Sequence, residues 1–455
     1  MSELTKRARE IYNGLPIADL KAAGIWPSQD YELVYNNPPY KALDPIQPET
    51  IYSSDKMLNI PRKIALYVHF PFCESICAYC HYAKRTGYSP LDISTYLVNL
   101  AEEVMMLETT AELRGARIQS LHLGGGTPSL WSPKFIDFLR LDFRFEPGIE
   151  MTTEGNPASI TREWLEESLE VGFNRINIGV QSFEDHLLKI CARPHDSKQA
   201  RKAIELARET GFGNINVDLI FGLPGQCFED WQRSLQTLIK LQPASVTCYR
   251  LRRNPQTRFG RMPNSDFPSP EDQLLMHIMA IESLCDAGYI PWHFENLFVR
   301  DPKYTHQHQE HKWQDGELLG IGLSSYSHIN GCVYHNTYSL EEYQQHLQSG
   351  HLPIDIGRVI NQTEQMHRWM MFGLMKLRLE QEPFRARFGI KPSEVFKHHL
   401  DSLQRLGIVE IDEQAIRLTK YPGLLFPMEI LSRFYTEADK AKLAAKGLRY
   451  GSYPR

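Results

Sequence analysis

Short apolar runs alternate with amphipathic segments through the middle of the chain, between residues 64 and 251. The apolar runs have the length of buried β-strands, whereas apolar residues in the intervening segments recur at i, i+3 and i+4, as on one helix face. This alternation predicts an α/β fold, a parallel sheet with helical crossovers. We expect strands at 64–69, 120–124, 149–154, 175–180, 216–221 and 245–250, and helices at 94–107, 162–171, 197–209 and 228–241.

Three cysteines directly follow the first predicted strand: Cys73, Cys77 and Cys80, in a C-x3-C-x2-C spacing. One tight loop can present three soft thiolates to one side, which suits a [4Fe–4S] cluster and leaves one iron without a protein ligand. A structural zinc site that adds His69 or His81 is the alternative. The other five cysteines are scattered singly and are expected to be small buried residues.

Glycine-rich or polar motifs also end the later predicted strands, where parallel α/β folds gather their chemistry. A Gly-Gly-Gly-Thr-Pro run at 124–128 allows close backbone approach and leaves amides for an anionic or polar ligand. A carboxylate, an amide, a guanidinium and a second carboxylate follow in order: Glu154, Gln181, Arg193 and Asp218. Taken singly, each is more typical of a capping or core-edge residue, but the ordered set favours one ligand site.

The cysteine loop followed by the Gly-Gly-Gly-Thr-Pro run resembles the signature of the radical S-adenosylmethionine (SAM) enzymes. The resemblance implies a partial (β/α)6 TIM-like barrel, in which the three cysteines hold a [4Fe–4S] cluster and the open iron chelates SAM. It also implies one-electron cleavage of SAM to methionine and a 5′-deoxyadenosyl radical. The SAM-binding positions that it implies are Tyr67, Gly125, Gly126, Thr127, Glu154, Gln181, Arg193 and Asp218.

Four further runs resemble the oxygen-independent coproporphyrinogen III dehydrogenase-like branch of these enzymes, and the resemblance covers residues 60–420. The runs are His-Phe-Pro-Phe-Cys at 69–73, Gly-Val-Gln-Ser-Phe at 179–183, Phe-Gly-Leu-Pro-Gly-Gln at 221–226 and Leu-Leu-Gly-Ile-Gly-Leu-Ser-Ser-Tyr-Ser at 318–327.

Two departures favour a different reaction within that branch. Tyr82 stands where the dehydrogenases carry a further cysteine, and their N-terminal Tyr-Thr-Ser-Tyr-Pro element is missing. The run Cys-His-Tyr-Ala-Lys at 80–84 is more similar to the class C methyltransferases and cyclopropane-forming enzymes. This resemblance implies two SAM molecules, with the radical from one activating the methyl group of the other for carbon methylation or cyclopropane formation on an unsaturated small molecule. The alternatives are oxidative decarboxylation of coproporphyrinogen III, another tetrapyrrole reaction, or a haem carrier without turnover.

We expect three parts: an N-terminal lead-in over 1–60 that packs on the barrel, the barrel with its extension over 61–345, and a C-terminal helical cap over 346–455. In the cap, two predicted helices precede a predicted β-hairpin at 407–418, an order typical of a winged-helix-like unit. The cap has no sustained basic stripe, so a lid or a docking surface is predicted rather than DNA binding.

The composition is ordinary for a globular protein, with 42% hydrophobic and 23% charged residues. A net charge of −5 gives no electrostatic case for nucleic acid or an anionic membrane as partner. The chain shows no signal peptide and no apolar run long enough to cross a bilayer, which predicts a cytoplasmic location. A small-molecule substrate and a one-electron donor such as flavodoxin or ferredoxin are the partners that the resemblance implies.

Three further groups of residues are candidates for roles in the site. Tyr326 and His328 follow a glycine-flanked run at 320–324, where proton chemistry would assist turnover, and they are the predicted catalytic residues. Five arginines between 250 and 261 fit either substrate carboxylates or phosphate, or a solvated basic face. Three histidines between 306 and 311 are expected in a surface loop.

Overall fold

The computed structural model describes residues 2–27, 36–52, 62–110, 113, 115–294 and 296–448, so that parts of the predicted lead-in at 1–60 lie outside the described residues. The strands are β1 (Asp44–Pro45), β2 (Lys63–Phe70), β3 (Arg117–Gly125), β4 (Arg144–Gly155), β5 (Arg175–Gln181), β6 (Asn214–Phe221), β7 (Ser245–Arg250), β8 (Ile290–His293), β9 (Leu297–Val299), β10 (Glu317–Ile321), β11 (Tyr326–Ile329), β12 (Cys332–Asn336), β13 (Ile354–Val359), β14 (Arg378–Glu380), β15 (Val409–Ile411) and β16 (Ala415–Leu418).

The helices include both long crossovers and short connecting turns. They are α1 (Glu3–Asn13), α2 (Ile17–Ala22), α3 (Pro48–Ile51), α4 (Pro90–Glu108), α5 (Leu139–Asp142), α6 (Arg162–Val171), α7 (Asp185–Ile190), α8 (Ser197–Thr210), α9 (Phe228–Leu241), α10 (Pro270–Asp286), α11 (Gln307–Trp313), α12 (Leu340–Gln348), α13 (Gln362–Met375), α14 (Gln381–Phe388), α15 (Pro392–Val395), α16 (Lys397–Arg405), α17 (Pro427–Leu431) and α18 (Glu437–Ala445). Among the described residues, no helix combines the length and the apolar character that a bilayer span requires.

One large sheet organises the molecule, with the strand order β1-β13-β12-β11-β10-β2-β3-β4-β5-β6-β7-β9-β8. Strands β2 to β7 are parallel and adjacent in chain order, which confirms the predicted α/β fold and its six strand–helix units. A further strand, β10, pairs in parallel with the outer side of β2, and β11 to β13 continue from it as an antiparallel meander. The carboxyl ends of the parallel strands therefore meet at one edge.

Local chemistry explains why the crossover elements form where they do. In β6, alternate residues differ in polarity, so that one face packs on helices while Asn216 and Asp218 occupy the other. The helix α8 begins at a capping box between Asp196 and Gln199, and it ends where Gly211 adopts a φ of 120°.

The C-terminal part contains a second sheet of order β14-β16-β15, with α13 to α16 beside it. The hairpin predicted at 407–418 is present as β15 and β16, and β14 completes the sheet. Strand β13 belongs to the large sheet, although it follows the predicted boundary at 345/346. The division into three parts therefore stays a prediction. At the other end of the chain, the expected irregular lead-in contains the helices α1 and α2, and α1 packs on α10 through ion pairs of Arg7 with Glu282 and Asp286.

Glu103 is a carboxyl group buried between α4 and the strands beside it. It accepts hydrogen bonds from the Gly322 amide at 2.8 Å, the Asn336 amide group at 2.6 Å and the Tyr343 hydroxyl at 2.6 Å. Burial nevertheless raises the pKa of Glu103 to about 7, against the opposing effect of these hydrogen bonds. The folded protein therefore holds this proton to a higher pH than the unfolded chain, in which the carboxyl has its usual pKa of 4.5.

Between pH 4.5 and 7 the folded state binds more protons at Glu103 than the unfolded state, so this group makes stability fall as pH rises. Glu103→Gln removes the titration. We expect the unfolding free energy of the variant, relative to the parent protein, to rise with pH across this window by up to about 3 kcal/mol. Urea titrations at several pH values measure it. The exposed neighbour substitution Glu102→Gln should leave the parent's pH dependence intact, and a pH-independent difference for Glu103→Gln would contradict the assignment.

Candidate active site

A cavity of about 530 Å³ opens at the carboxyl ends of the parallel strands. The structure brings to this cavity each residue predicted to hold a metal or SAM, although these residues span more than a hundred positions. They are Tyr67, Cys73, Cys77, Cys80, Gly125, Gly126, Thr127, Glu154, Gln181, Arg193 and Asp218. Their individual roles stay predictions, but their convergence on one cavity meets the first requirement for a common ligand site.

The loop that carries the three cysteines is fixed by backbone hydrogen bonds on two sides. The Ala78 amide donates to the Cys191 carbonyl at 2.9 Å, and the Phe259 amide donates to the Ala78 carbonyl at 3.0 Å. On the opposite side, the amides of Gly126 and Thr127 donate to carbonyl oxygens of the strand end that leads into the loop. These two amides are therefore used to anchor the cysteine loop, whereas the sequence predicted that they are open to a ligand.

Hydrogen-bond donors surround the sulfur atoms. The Thr127 hydroxyl lies 3.6 Å from Cys73 Sγ, and Arg193 Nη1 donates to Cys77 Sγ at 3.3 Å. Burial raises the pKa of Cys73 to about 11, and burial also raises the pKa of Cys80. These two thiols are protonated in the metal-free chain, so metal binding would release protons. The Arg193 guanidinium and the Thr127 hydroxyl lie beside the sulfurs, where they can stabilise the negative charge of metal-bound thiolates.

The spacing of the sulfurs separates a cluster from a single zinc ion. Thiolates on one tetrahedral zinc ion stand about 3.8 Å apart, as Zn–S bonds of about 2.3 Å require. In the described part of the chain, the three cysteine sulfur atoms do not all lie within 4.8 Å of one another. A group that does meet this distance is Glu184, His186 and Asp230. His69, a proposed fourth zinc ligand, has both ring nitrogens bonded, to Tyr67 and to the Ala83 carbonyl. The donor set fits a [4Fe–4S] cluster better.

The inner wall of the cavity is polar, which the sequence reasoning missed. Residues from successive strands line it: His122, Arg175, Asn177, Asn216 and Thr247. The signal was available in the alternation of polar and apolar residues within β5 and β6, because side chains two apart share a face of a strand. Burial, together with the charge of Glu154, raises the pKa of Asp218 to about 6. The wall thus combines hydrogen-bonding groups with buried charge.

Of the two predicted catalytic residues, Tyr326 lines the cavity and His328 does not. The Tyr326 hydroxyl lies 2.7 Å from Arg368 Nη1, and burial raises the pKa of Tyr326. Strand β11 runs antiparallel to β10 and so carries His328 away from the mouth, to a position opposite Leu318. There the pKa of His328 is lowered to about 3 by burial, and the imidazole contacts the Gly316 carbonyl. The structure therefore places Tyr326 in the wall of the cavity and His328 outside it.

The five arginines between 250 and 261 divide between the two roles expected for them. Arg250 and Arg252 line the cavity, and Arg250 also forms a buried ion pair with Glu429 of α17 at 3.1 Å. Arg253 turns back to the Phe259 carbonyl, and the remaining two, Arg258 and Arg261, are exposed.

The histidines at 306 and 308 correct another expectation. His306 is 3% exposed and His308 is 6% exposed, so the predicted surface location is wrong for both. They lie at the start of α11, which packs against β2, β3 and β10, and both line the cavity. Local sequence patterns could not indicate this, because β2 and β3, two of the strands that meet α11, lie about two hundred residues earlier in the chain. His311 is half-buried and contacts the Glu317 carbonyl.

Gly126 permits the close approach between the Gly-Gly-Gly-Thr-Pro run and the cysteine loop. A Cβ atom here would lie 2.5 Å from the Phe72 carbonyl oxygen and 2.8 Å from the Pro71 carbonyl carbon. We therefore expect Gly126→Ala to displace the loop and to lower SAM cleavage at least tenfold, as overpacking of about 1–3 kcal/mol implies. Gly213→Ala is the matched control, since a Cβ there meets nothing within 4 Å. Iron content and 5′-deoxyadenosine formation measure both, and equal values would contradict the steric argument.

The parallel barrel, with a three-cysteine loop after its first strand and a glycine-rich turn after its second, defines a radical SAM protein. Residues 67–238 match the family model described as the Radical SAM superfamily, and residues 360–425 match the HemN C-terminal domain. The chain belongs to the radical SAM superfamily, and within it to the family of coproporphyrinogen III oxidases and HemW haem chaperones. Membership confirms the expected [4Fe–4S] cluster and SAM.

Individual relatives of both kinds support this family. The heme chaperone HemW of Escherichia coli (strain K12) is 30% identical over 60% of this chain and 72% of its own length. The oxygen-independent coproporphyrinogen III oxidase of Helicobacter pylori (strain J99) is 26% identical over 83% of this chain and 87% of its own length. The structure of coproporphyrinogen III oxidase (HemN) from Escherichia coli superposes with a TM-score of 0.75, at 25% identity, and covers 93% of this chain and 99% of that chain.

These relatives overturn one prediction. The expected two-SAM methyltransferase or cyclopropane-forming enzyme is wrong, because the relatives are named as coproporphyrinogen III oxidases or haem chaperones. The prediction depended on Tyr82 and its neighbours in the cysteine loop. Tyr82 is 46% exposed and lines the same cavity as the cysteines, but its identity alone does not determine the reaction.

Proposed function

We propose that this chain is a radical SAM enzyme that oxidatively decarboxylates a coproporphyrinogen-type tetrapyrrole. The observation that carries the proposal is the single cavity that joins the three thiols to a wall with several cationic side chains. A wall with several cationic side chains beside the thiols suits a substrate that carries several carboxylates and is processed next to the cluster. The oxygen-independent coproporphyrinogen III oxidase of Helicobacter pylori and the HemN structure among the relatives support the same activity.

In this proposal Cys73, Cys77 and Cys80 hold the [4Fe–4S] cluster, while Arg193 and Thr127 stabilise the thiolates by hydrogen bonding. The residues proposed to bind SAM are Tyr67, Gly125, Gly126, Thr127, Glu154, Gln181, Arg193 and Asp218. When bound, the cluster and SAM supply the 5′-deoxyadenosyl radical, which takes a hydrogen atom from the substrate.

The arginines at the mouth are the proposed contacts for substrate carboxylates. Arg252 lines the cavity beside the Arg250–Glu429 pair, and a guanidinium group forks a carboxylate through two hydrogen bonds. Coproporphyrinogen carries four propionate groups, so it suits such a mouth. The cap contributes to the same region, because Pro427 and Met428 of α17 also line the cavity.

The test is anaerobic turnover of the reconstituted full-length protein with SAM, a reductant, coproporphyrinogen III and a one-electron acceptor. The expected product carries a vinyl group where a propionate stood. For each event, one hydrogen atom passes to 5′-deoxyadenosine, the carboxylate leaves as carbon dioxide and one electron passes to the acceptor. Stoichiometric haem binding without 5′-deoxyadenosine formation would overturn the proposal in favour of a haem carrier.

Arg252→Gln tests the substrate contact. We expect it to raise the KM for coproporphyrinogen III roughly tenfold or more, because a charge-assisted hydrogen bond to the propionate is lost, while cluster content stays the same. Arg261→Gln is the matched control, since this arginine of the same segment is exposed and outside the cavity. Equal KM values for both variants would remove Arg252 from the substrate site.

A one-electron donor such as flavodoxin or ferredoxin, and a cytoplasmic location, complete the proposal. The proposed reaction begins with one-electron reduction of the cluster, and the electron must come from another protein. A cytoplasmic location would give access to such a donor. To test the donor, purified reduced flavodoxin is added to the protein, and the electron paramagnetic resonance signal of the reduced cluster is measured.

A further inference from the structure

Two buried imidazoles connect Glu154 to the extension of the barrel. His122 Nε2 lies 2.7 Å from Glu154 Oε1, and His122 Nδ1 lies 3.2 Å from His306 Nε2. His122 comes from β3, Glu154 from the end of β4, and His306 from the residue before α11. The three side chains therefore form one hydrogen-bonded row that crosses from the parallel strands to α11.

The row has a defined direction of donation. An ionised carboxylate only accepts hydrogen bonds, so His122 donates to Glu154 through Nε2–H. In the neutral tautomer that carries Nε2–H, His122 Nδ1 is an acceptor, and His306 Nε2–H is then its donor. Burial and the nearby Arg175 lower the pKa of His306 well below its ordinary value, so His306 remains neutral and keeps this polarity.

The surroundings hold His306 in place. Its Nε2 lies 3.8 Å from Glu150 Oε1, and that carboxyl oxygen accepts from the His308 amide at 3.3 Å. Glu150 Oε2 lies 4.0 Å from Arg175 Nε, a guanidinium atom that has no hydrogen-bond partner among the described residues. The neighbouring His308 bonds Ser120 through Nδ1 at 3.1 Å instead of joining the row. His308 is therefore a buried imidazole outside the row.

We propose that His122 and His306 are positioning residues, which fix the Glu154 carboxylate in the orientation that binds SAM. This inference rests on the proposed SAM site, in which Glu154 accepts from an ammonium or ribose hydroxyl group. One Glu154 oxygen is occupied by His122, so the other oxygen is directed to the ligand. The extension of the barrel thereby contributes to cofactor binding without contacting the cofactor.

The test compares SAM dissociation constants of the reduced, cluster-loaded full chain, measured by the change that SAM makes in the electron paramagnetic resonance spectrum. We expect His122→Leu to weaken SAM binding roughly tenfold or more, as the loss of a hydrogen bond to a charged group implies. His122→Gln keeps an N–H donor and should remain within about threefold of the parent. His306→Leu should weaken binding by a smaller factor, roughly threefold, since it acts through His122.

A double-mutant cycle separates positioning from general damage to the core. If His122 acts through Glu154, the double variant Glu154→Gln/His122→Leu binds SAM no more weakly than Glu154→Gln alone. His277→Leu removes a buried imidazole of α10 that does not line the cavity, and it should leave SAM binding within about twofold.

Three outcomes would overturn the inference. They are unchanged SAM affinity in His122→Leu, additive losses in the double variant, and equal losses in His122→Leu and His277→Leu. If coproporphyrinogen turnover is present in the parent protein and these outcomes occur, positioning fails while the proposed function stands. If Glu154→Gln itself leaves SAM affinity intact, Glu154 is not a SAM contact, and the inference fails at its premise.

Discussion

Replacing Cys77 by alanine is expected to remove the iron–sulfur cluster and to reduce SAM cleavage to the background of the assay. Cys77 lies between the other two thiols in the chain and is the sulfur to which Arg193 donates. Two thiols cannot replace a three-thiolate site, and the Arg193 guanidinium would keep its charge with no thiolate to balance it. Iron and sulfide content, the absorption spectrum and 5′-deoxyadenosine formation measure the loss.

Cys332→Ala is the matched control for this experiment. Cys332 is buried, as Cys73 is, but it lies on β12 and outside the cavity. We expect this variant to keep its iron and its SAM cleavage. Cluster content at the parental level in Cys77→Ala would show that the loop is not the metal site, and zinc instead of iron in the purified parent protein would favour the structural alternative.

Arg368→Met is expected to destabilise the fold by about 3 kcal/mol or more, because it breaks a buried ion pair. Arg368 of α13 is fully buried, and its Nε donates to Asp315 at 2.7 Å. Its Nη1 donates to the Tyr326 hydroxyl at 2.7 Å and to the Asn37 carbonyl at 2.8 Å. The substitution removes the Arg368 donor from all three acceptors. Water cannot easily replace a donor at buried acceptors, although Asp315 keeps its ion pair with Arg387 at 3.0 Å.

Guanidinium denaturation, followed by intrinsic fluorescence, measures the change in the free energy of unfolding. Arg385→Met provides the comparison: Arg385 pairs with Glu382 at 2.8 Å, but both side chains are more than half exposed. We expect this second substitution to leave the unfolding free energy nearly unchanged, since exposed pairs are screened by solvent. Similar destabilisation by the two substitutions would mean that the buried pair does not hold the C-terminal part to the barrel.

The six central strands were predictable because β2 to β7 contain short apolar or alternating runs, and most of them are separated by helices of regular periodicity. Strand β10 was missed, since it spans five residues, includes Gly320 and has no helix between it and the next strand. Its place beside β2 depends on pairing between residues about 250 positions apart, such as Leu318 with Ala65. Local patterns in the sequence carry no information about such a partner.

In the candidate site too, some residues were predictable from local sequence patterns and others depended on contacts between distant segments. Residues in motifs at strand ends, such as Glu154 and Asp218, were predictable because the topology brings every carboxyl end to one edge. His306 was not, because its neighbourhood in the sequence is polar and gives no sign that α11 packs against β3. His328 lies two residues along the antiparallel strand β11 from Tyr326 and does not line the cavity, so its catalytic role stays a prediction.

The wall of the cavity begins with Asn36, ahead of the first parallel strand, and ends with Met428 in α17. The cysteine loop is therefore synthesised early, whereas the last piece of the wall leaves the ribosome only after nearly the whole chain. A chain that stops before α17 would contain every proposed cluster and SAM residue and still have an incomplete chamber. The chamber is thus complete only when α17 has packed against Arg250.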